Sequence, residues 1–287
     1  MKKNLFSIIL PTYKGKFLKE CIDSVLAQTY NNWELIIVND ASPEDIDSII
    51  QCYTDPRIRY YKNKTNYGAK RLVEQWNYCL SLANGEYVIC IGDDDKLLPR
   101  CLEVYDTFIQ AYPKVEILHG QTDIIDENGD TISHTVERPE WESAISLLYH
   151  RTYTYHHQYI GDFCYRTDAL KARGGFYPLP LAWGSDDISA IQGAEREGIA
   201  NTREVVFQYR SNRLSITSST HLYQKLKAII LDAIWKRKFL RSAHCESQQD
   251  YLYKRLLNNN LLIYTIKRCC NILSISVSKY ISSYHKS

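Results

Sequence analysis

Over the first 120 residues short apolar runs alternate with amphipathic helical stretches, and this alternation limits the fold more than any other feature of the chain. Residues 6–10 read as an apolar strand that ends at Pro11-Thr12-Tyr13. Residues 17–28 place Leu18, Cys21, Ile22, Val25 and Leu26 at helical spacing. A second strand over 34–38 runs into Asn39-Asp40-Ala41-Ser42, where Ser42 as N-cap and Pro43 at the first position predict a helix start. A third strand covers 58–61. Asn66-Tyr67-Gly68 opens a helix with Ala69, Leu72, Val73, Trp76, Leu80 and Ala83 on one stripe, stopped by Asn84-Gly85. Strand 87–91, a helix from Pro99 and strand 115–119 continue the series. The pattern predicts an α/β fold with a doubly wound, mostly parallel sheet.

Such sheets bind ligands at the carboxyl ends of their strands. Here those ends carry Thr12-Tyr13, Asp40 and Asp93-Asp94-Asp95. Three adjacent carboxylates after an interior strand are costly to bury and call for a cation. Oxygen-only ligands favour Mg2+ or Mn2+, ions that bridge carboxylates to phosphates. The cluster therefore points to a diphosphate-bearing substrate. The competing reading is a solvated acidic turn or a helix N-cap.

Beyond residue 120 the period changes. Residues 126–130 form a hairpin turn between strands 122–125 and 131–133, and 141–149 reads as a helix. The stretch 150–160 is crowded with Tyr153, Tyr155, His156, His157 and Tyr159 and has no clear period. A strand at 163–165 and a helix at 168–173, ended by Gly174-Gly175, follow. Trp183-Gly184-Ser185-Asp186-Asp187 precedes a helix starting near Ile188, and 205–209 is a strand.

Charge divides the chain. Residues 1–220 carry 23 Lys and Arg against 30 Asp and Glu, whereas residues 221–287 carry 12 against 3. An acidic body and a basic tail predict different partners for each, and nucleic acid is not expected among them. The tail sets Leu222, Leu226, Ile229, Ile230, Ala233 and Ile234 at helical spacing beside Lys225, Lys227, Lys236, Arg237, Lys238 and Arg241. It is either a basic amphipathic surface for anionic lipid or a helical appendage packed on the body. Residues 261–266 are apolar, but Lys267-Arg268 interrupts them too early for a membrane span. None of the nine cysteines sits in a CxxC spacing. Cys21, Cys52, Cys79, Cys90 and Cys101 read as small buried hydrophobes, and a reducing compartment is expected.

Six blocks, in order, resemble the family 2 glycosyltransferases, which have the GT-A fold. They are Ser7-Ile8-Ile9-Leu10-Pro11-Thr12-Tyr13; Ser24 to Tyr30 with Trp33 to Ser42; Asn66-Tyr67-Gly68 with Ala83 to Tyr87; Asp93-Asp94-Asp95 with Leu97 and Pro99; Gly174-Gly175-Phe176; and Asp186-Asp187. The resemblance spans about residues 4–220. It implies a catalytic domain over 1–220, with a nucleotide-binding half (1–120) and an acceptor half (121–220), followed by the tail at 221–287. Pro11, Thr12, Tyr13 and Asp40 would hold base and ribose of a nucleotide sugar, UDP-sugar favoured, with Asp93 on the ribose. Asp94, with Asp95 beside it, would ligate Mg2+ or Mn2+ across the diphosphate. Asp187 would be the catalytic base, with Asp186 in place of the glutamate usual before it. A histidine that some relatives place near the metal is replaced at that point by Asn212.

Inverting sugar transfer needs a neutralised leaving diphosphate and a carboxylate that takes the acceptor proton. Without the resemblance, Asp186-Asp187 reads equally as an acid pair at a helix N-terminus. Lys70 and Arg71 either reach phosphate or line a solvated helix face. Trp183 is a candidate stacking surface for an acceptor sugar. His156 and His157 either touch acceptor or metal or are satisfied loop histidines. The expected acceptor is a saccharide, free or lipid-linked, at the inner face of a bacterial cytoplasmic membrane during surface polysaccharide assembly. A nucleotidyltransferase acting on a sugar phosphate is the alternative, although Lys14-Gly15-Lys16 is a faint version of its phosphate loop and Asp186-Asp187 would have no role. A non-catalytic nucleotide-sugar binder is the third reading.

Overall fold

The structure is a computed structural model that describes residues 3–154, 156–211 and 221–284, with side chains through residue 275. Its elements in chain order are β1 (Phe6–Thr12), α1 (Leu18–Leu26), β2 (Trp33–Asn39), α2 (Ile46–Gln51), β3 (Ile58–Lys62), α3 (Leu72–Ser81), β4 (Tyr87–Cys90), β5 (Lys96–Leu97), α4 (Cys101–Ala111), β6 (Ile117–Ile125), β7 (Thr131–His134), β8 (Trp141–Glu142), α5 (Ala144–Tyr153), β9 (Phe163–Arg166), α6 (Thr167–Ala172), α7 (Ser185–Ala194), β10 (Ile199–Arg210), α8 (Leu222–Ser242) and α9 (Gln248–Tyr284).

The main sheet runs β3-β2-β1-β4-β9-β6-β10-β5. β3, β2, β1 and β4 are parallel, as the apolar alternation predicts. The residues of β1, β2 and β4 are buried on both faces, whereas β3, at the sheet edge, is partly exposed. Ile8, Leu10, Leu35, Ile37 and Ile89 pack with α1 and α4 on one side. Ile9, Ile36, Val38, Val88 and Cys90 pack with α3, α5 and α7 on the other. Period-two side-chain direction makes both faces apolar at once. A sheet buried on both faces needs continuous apolar strands, which is why the first half is so legible.

The second half differs from expectation. The next parallel strand does not join β4 directly; β9 inserts antiparallel between β4 and β6. Strands expected at 115–119 and 122–125 are one element, β6. The helix expected from Trp141 begins only at Ala144, because Trp141–Glu142 pairs with β10 and Ser143 caps by accepting from the Ser146 amide. The α2 start also moves: Asp45, not Ser42, accepts from the Ser48 amide at the N-cap. Cys52 is exposed at the end of α2, unlike Cys21, Cys79, Cys90 and Cys101, which are buried as expected.

The tail folds back on the body. α8 and α9 pack together, and Phe239, Leu240 and Leu257 join the core layer under α5 and α7. Ser143 Oγ donates to Asp250 at 2.7 Å, and Tyr149 stacks on Tyr253 at 3.8 Å. The apolar stripe read from the tail sequence is split. The packed face of α8 is Lys225, Ala228, Ile229, Asp232, Lys236, Phe239 and Leu240, whereas Ile230 and Ile234 point outward. Lys225 and Lys236 are therefore buried and unavailable to a lipid surface.

Candidate active site

The parallel strands deliver Thr12, Asp40 and Asp93-Asp94-Asp95 to one edge of the sheet, where β10 also ends at Arg210. Asp93 is tied to the loop after β1. Its Oδ2 accepts from the Tyr13 amide at 2.7 Å, the Lys14 amide at 2.8 Å and the Thr12 hydroxyl at 3.3 Å. Burial, more than these donors offset, raises its pKa. Asp95 is buried, and its Oδ1 accepts from the Arg210 amide at 2.9 Å. Burial, and next the Asp94 charge, push Asp95 well above the usual carboxylate range.

Arg210 was given no role by sequence reasoning. Its guanidinium is fully buried and every nitrogen is used. Nε donates to the Asp94 carbonyl at 2.9 Å, one Nη to the carbonyls of Asp126 and Glu127 at 3.1 Å each, and the other to Glu20 at 2.7 Å. It also lies 4.1 Å over the Phe17 ring. One side chain thus staples the acidic loop to α1 and to the 126–127 turn. Asn212, two residues on, lies outside the described residues, as does Tyr155.

A divalent cation fits the acidic edge. A Cβ built on Gly92 would stand 2.9 Å from Asp95 Oδ2 and 3.2 Å from Asp94 Oδ1, so both carboxylates fold over a residue that must lack a side chain. Hard oxygen donors so placed suit Mg2+ or Mn2+. Among the described residues no group of three or more His, Cys, Asp or Glu is placed to hold a metal by itself. Substrate oxygens would have to share the coordination.

Asp40 is buried and closes the loop before α3. It accepts from the amides of Tyr67 and Gly68 at 2.9 and 3.0 Å and from Asn63 Nδ2 at 2.9 Å. Tyr13 is 41% exposed at the rim. Lys70 and Arg71 face a separate cavity beside Pro178–Leu181 residues and Lys227. Arg71 pairs with Glu74 at 2.5 Å and stacks on Tyr67, the solvated-face reading.

One cavity of about 650 Å³ joins the two halves. Pro11, Lys14, Gly92, Asp93 and Asp94 line it together with Arg151, His157, Trp183, Asp186 and Asp187, whereas Thr12, Tyr13, Asp40 and Asp95 are not among its lining residues. Asp186 and Asp187 stand in the first turn of α7, where the helix dipole favours negative charge. Gly184, at φ 92°, supplies the left-handed turn before them. Leu181 and Ala182 also take positive φ, 59° and 56°, a strained approach to Trp183.

The pair is electrostatically divided. Asp187 Oδ1 accepts from Arg151 Nε and Gln158 Nε2, both at 2.7 Å. Burial pushes the Asp187 pKa up, but the Arg151 charge, with Lys236 behind it, outweighs this and leaves it below the usual carboxylate value. For Asp186, burial and then the Asp187 charge push it up to about 7. Arg151 and Gln158 were missed because they lie in the stretch without period, 36 and 29 residues from their partner. His157 reaches the cavity. His156 does not: it is buried, stacked on His150 at 4.9 Å, and burial with the Arg138 charge lowers its pKa to about 4.

The cavity wall also includes Ile229 of α8 and Tyr264, Arg268, Asn271 and Ile272 of α9, none of which was expected at the site. Lys225 lies 4.9 Å over Trp183.

A half-parallel α/β sheet with an acidic cluster at its strand ends and a carboxylate pair across the same cavity defines a transferase of the GT-A type. The chain belongs to glycosyl transferase family 2, whose profile matches residues 7–173, and it is a glycosyltransferase. It is 36% identical over 275 residues to a Bacillus subtilis (strain 168) protein named as the glycosyltransferase EpsE, covering 88% of this chain and 94% of that one. It is 42% identical over 109 residues to the colanic acid biosynthesis glycosyl transferase WcaA of Escherichia coli (strain K12), covering 37% and 38%. Among solved structures it resembles S. aureus TarS 1-349 in complex with UDP-GlcNAc, with TM-score 0.67, 19% identity and coverage of 89% and 72%. It also resembles the mannosyltransferase PcManGT of Pyrobaculum calidifontis in complex with GDP-Man and Mn2+, with TM-score 0.56, 16% identity and coverage of 99% and 80%. At these identities the structural likeness establishes the fold.

Proposed function

We propose that the chain transfers a sugar, with inversion, from a nucleotide diphospho-sugar to a hydroxyl of a saccharide acceptor in the assembly of a bacterial surface polysaccharide. The supporting observation is the single cavity that brings Asp93 and Asp94 within one space with Asp186 and Asp187. The WcaA likeness favours the polysaccharide setting. UDP-GlcNAc and GDP-Man in the fold neighbours favour a nucleotide-sugar donor.

In this reading Pro11 to Tyr13 and Asp40 shape the base and ribose end, and Asp93 fixes the loop that carries them. Asp94 and Asp95 would hold Mg2+ or Mn2+, which as a Lewis acid neutralises the departing diphosphate. The acceptor hydroxyl must lose its proton on the side opposite the leaving group. Asp187, ionised and oriented by Arg151 and Gln158, would take that proton, with Asp186 beside it. Burial and the Asp187 charge raise Asp186 to about 7, so it can take up a proton near neutral pH beside the ionised Asp187. Trp183 and His157 line the acceptor end.

Among the described residues no helix is long and apolar enough to cross a membrane. The outer surface of α8 and α9 exposes Arg237, Lys238, Arg255 and Lys267 beside Ile230, Ile234, Leu262 and Ile263. Two of the three acids of the tail, Asp232 and Asp250, are buried. That leaves a basic and apolar face suited to peripheral contact with an anionic bilayer.

Incubation with UDP-GlcNAc, UDP-glucose or GDP-mannose, with Mn2+ or EDTA, tests the reading. Proton NMR should show nucleotide diphosphate release that needs the metal, and an anomer opposite to that of the donor. Failure to bind or turn over any of these donors, or retention of configuration, would falsify it.

A further inference from the structure

We propose that α9 belongs to the active site, with Tyr264, Arg268 and Asn271 forming a subsite for the acceptor saccharide. The inference rests on the transfer reading of the cavity given above. These residues are spaced i, i+4 and i+7, so one helical stripe presents all three to a single wall, and all three line the cavity that holds Asp186 and Asp187.

The wall is built, not incidental. Arg268 donates to Asp232 Oδ2 at 2.5 Å, and Lys236 donates to the same oxygen at 2.9 Å. Asp232 and Lys236 are buried, and the side chain of Arg268 is 22% exposed. Two helices that had only to pack would be held as well or better by apolar residues, because desolvating an ion triad offsets much of its attraction. What the triad adds is a guanidinium fixed in place at the cavity wall. Arg268 also lies 5.7 Å over the Tyr264 ring.

A flat ring, a forked donor and an amide match a sugar, which offers hydroxyl oxygens at its edge and an apolar C–H face. The acceptor is favoured over the donor by position. The donor carboxylates Asp93 and Asp94 stand at the sheet edge, whereas α8 secures the acceptor-end Trp183 through Lys225 at 4.9 Å. α9 also lies outside residues 7–173, the part matched by the family profile, where a member-specific choice of acceptor would be expected to reside.

The test uses the full chain, Mn2+, and UDP-GlcNAc or GDP-mannose, with octyl β-glucoside, octyl β-galactoside and octyl β-glucuronide as acceptor probes. Arg268→Gln and Asn271→Ala should each raise the KM of the accepted glycoside about tenfold. Donor KM should stay within about twofold of the parent chain. Asn271→Ala and Tyr264→Phe leave the Asp232 triad intact, so a folding defect in Arg268→Gln does not mask the outcome. An unchanged glycoside KM in Asn271→Ala and Arg268→Gln overturns the proposal, as does a donor KM that rises in parallel. Hydrolysis of donor without use of any of the three glycosides also overturns it while leaving the transferase reading intact. Absence of donor binding and hydrolysis removes the transferase reading first, and the subsite with it.

Discussion

Asp93, Asp94 and Asp95 follow β4, and Asp186 and Asp187 open α7, and each cluster meets the cost of crowded carboxylates differently. At the strand end the neutralising groups are behind the cluster. Backbone amides hold Asp93, and Arg210 binds the loop through the Asp94 carbonyl. At the helix start the neutralising group is permanent and covalent to the chain: Arg151 grips Asp187 directly. The first arrangement relies on main-chain donors. The second leaves one carboxylate ionised and its neighbour close to neutral pH. In the proposed reading the first suits donor binding and the second proton transfer, and the position of the counter-charge is what separates them.

The largest expected effect breaks the strand-end half. Asp94→Ala should abolish metal-dependent binding of nucleotide diphosphate, read by calorimetry with UDP and Mn2+, while circular dichroism stays unchanged. Retained affinity would remove Asp94 from the cation site. Asp187→Asn probes the other half. It should slow transfer roughly a hundredfold or more, the scale of a general base, with UDP affinity preserved. Near-normal turnover would pass the role to Asp186 alone.

The division within the pair is sharpened by pH. Asp186, up to about 7 in the fold, holds a proton that the unfolded chain would lose near 4. Its contribution to stability is therefore present at low pH and is lost as pH rises through about 7. Transfer has the opposite sign and should rise with pH through the same range. Asp186→Asn should remove that limb of the rate profile and raise the melting temperature at pH 8. An unaltered pH profile would show that the pair does not titrate as one unit.

Arg210→Gln tests whether the staple acts through position. Removing the guanidinium leaves the carbonyls of Asp94, Asp126 and Glu127 without that donor and should cost about 3 kcal/mol of stability by denaturant titration. The remaining folded protein should bind UDP with Mn2+ more weakly, and Arg210→Lys should not restore it, since one ammonium cannot meet four acceptors. Normal metal-dependent affinity in either variant would leave Arg210 a purely structural residue. The smallest effect concerns the tail. Reversing Lys238 and Arg255 to Glu should lower co-sedimentation with phosphatidylglycerol vesicles severalfold at low salt, at about 1 kcal/mol per engaged cation. Equal sedimentation would leave α8 and α9 as a packed appendage only. Truncation at residue 222 is not a clean test, because it would also strip the cavity of Ile229, Arg268 and the rest of that wall.

Local periodicity carried the first half of the fold and the acidic edge. Residues 8–10, 35–38 and 87–91 are apolar without a break because they are buried on both faces, and a parallel sheet places their carboxyl ends together whatever the loops do. Asp93, Asp94, Asp186 and Asp187, which line one cavity, could be picked out because short motifs accompany them; Asp40, which also has its motif, does not line it. Tertiary structure alone decided the rest. Only β9 entering antiparallel, a choice made by long-range pairing, sets β6 one strand away from β4. Arg210 reaches Glu20 across 190 residues, and Arg151 reaches Asp187 across 36, with no pattern in either window to announce the meeting. The tail's apolar spacing suggested one face, yet the packed face holds Lys225, Asp232 and Lys236, because buried charges that satisfy one another satisfy a helix interface without being apolar. Periodicity reports which residues leave water; it does not report which partner each one meets when it does.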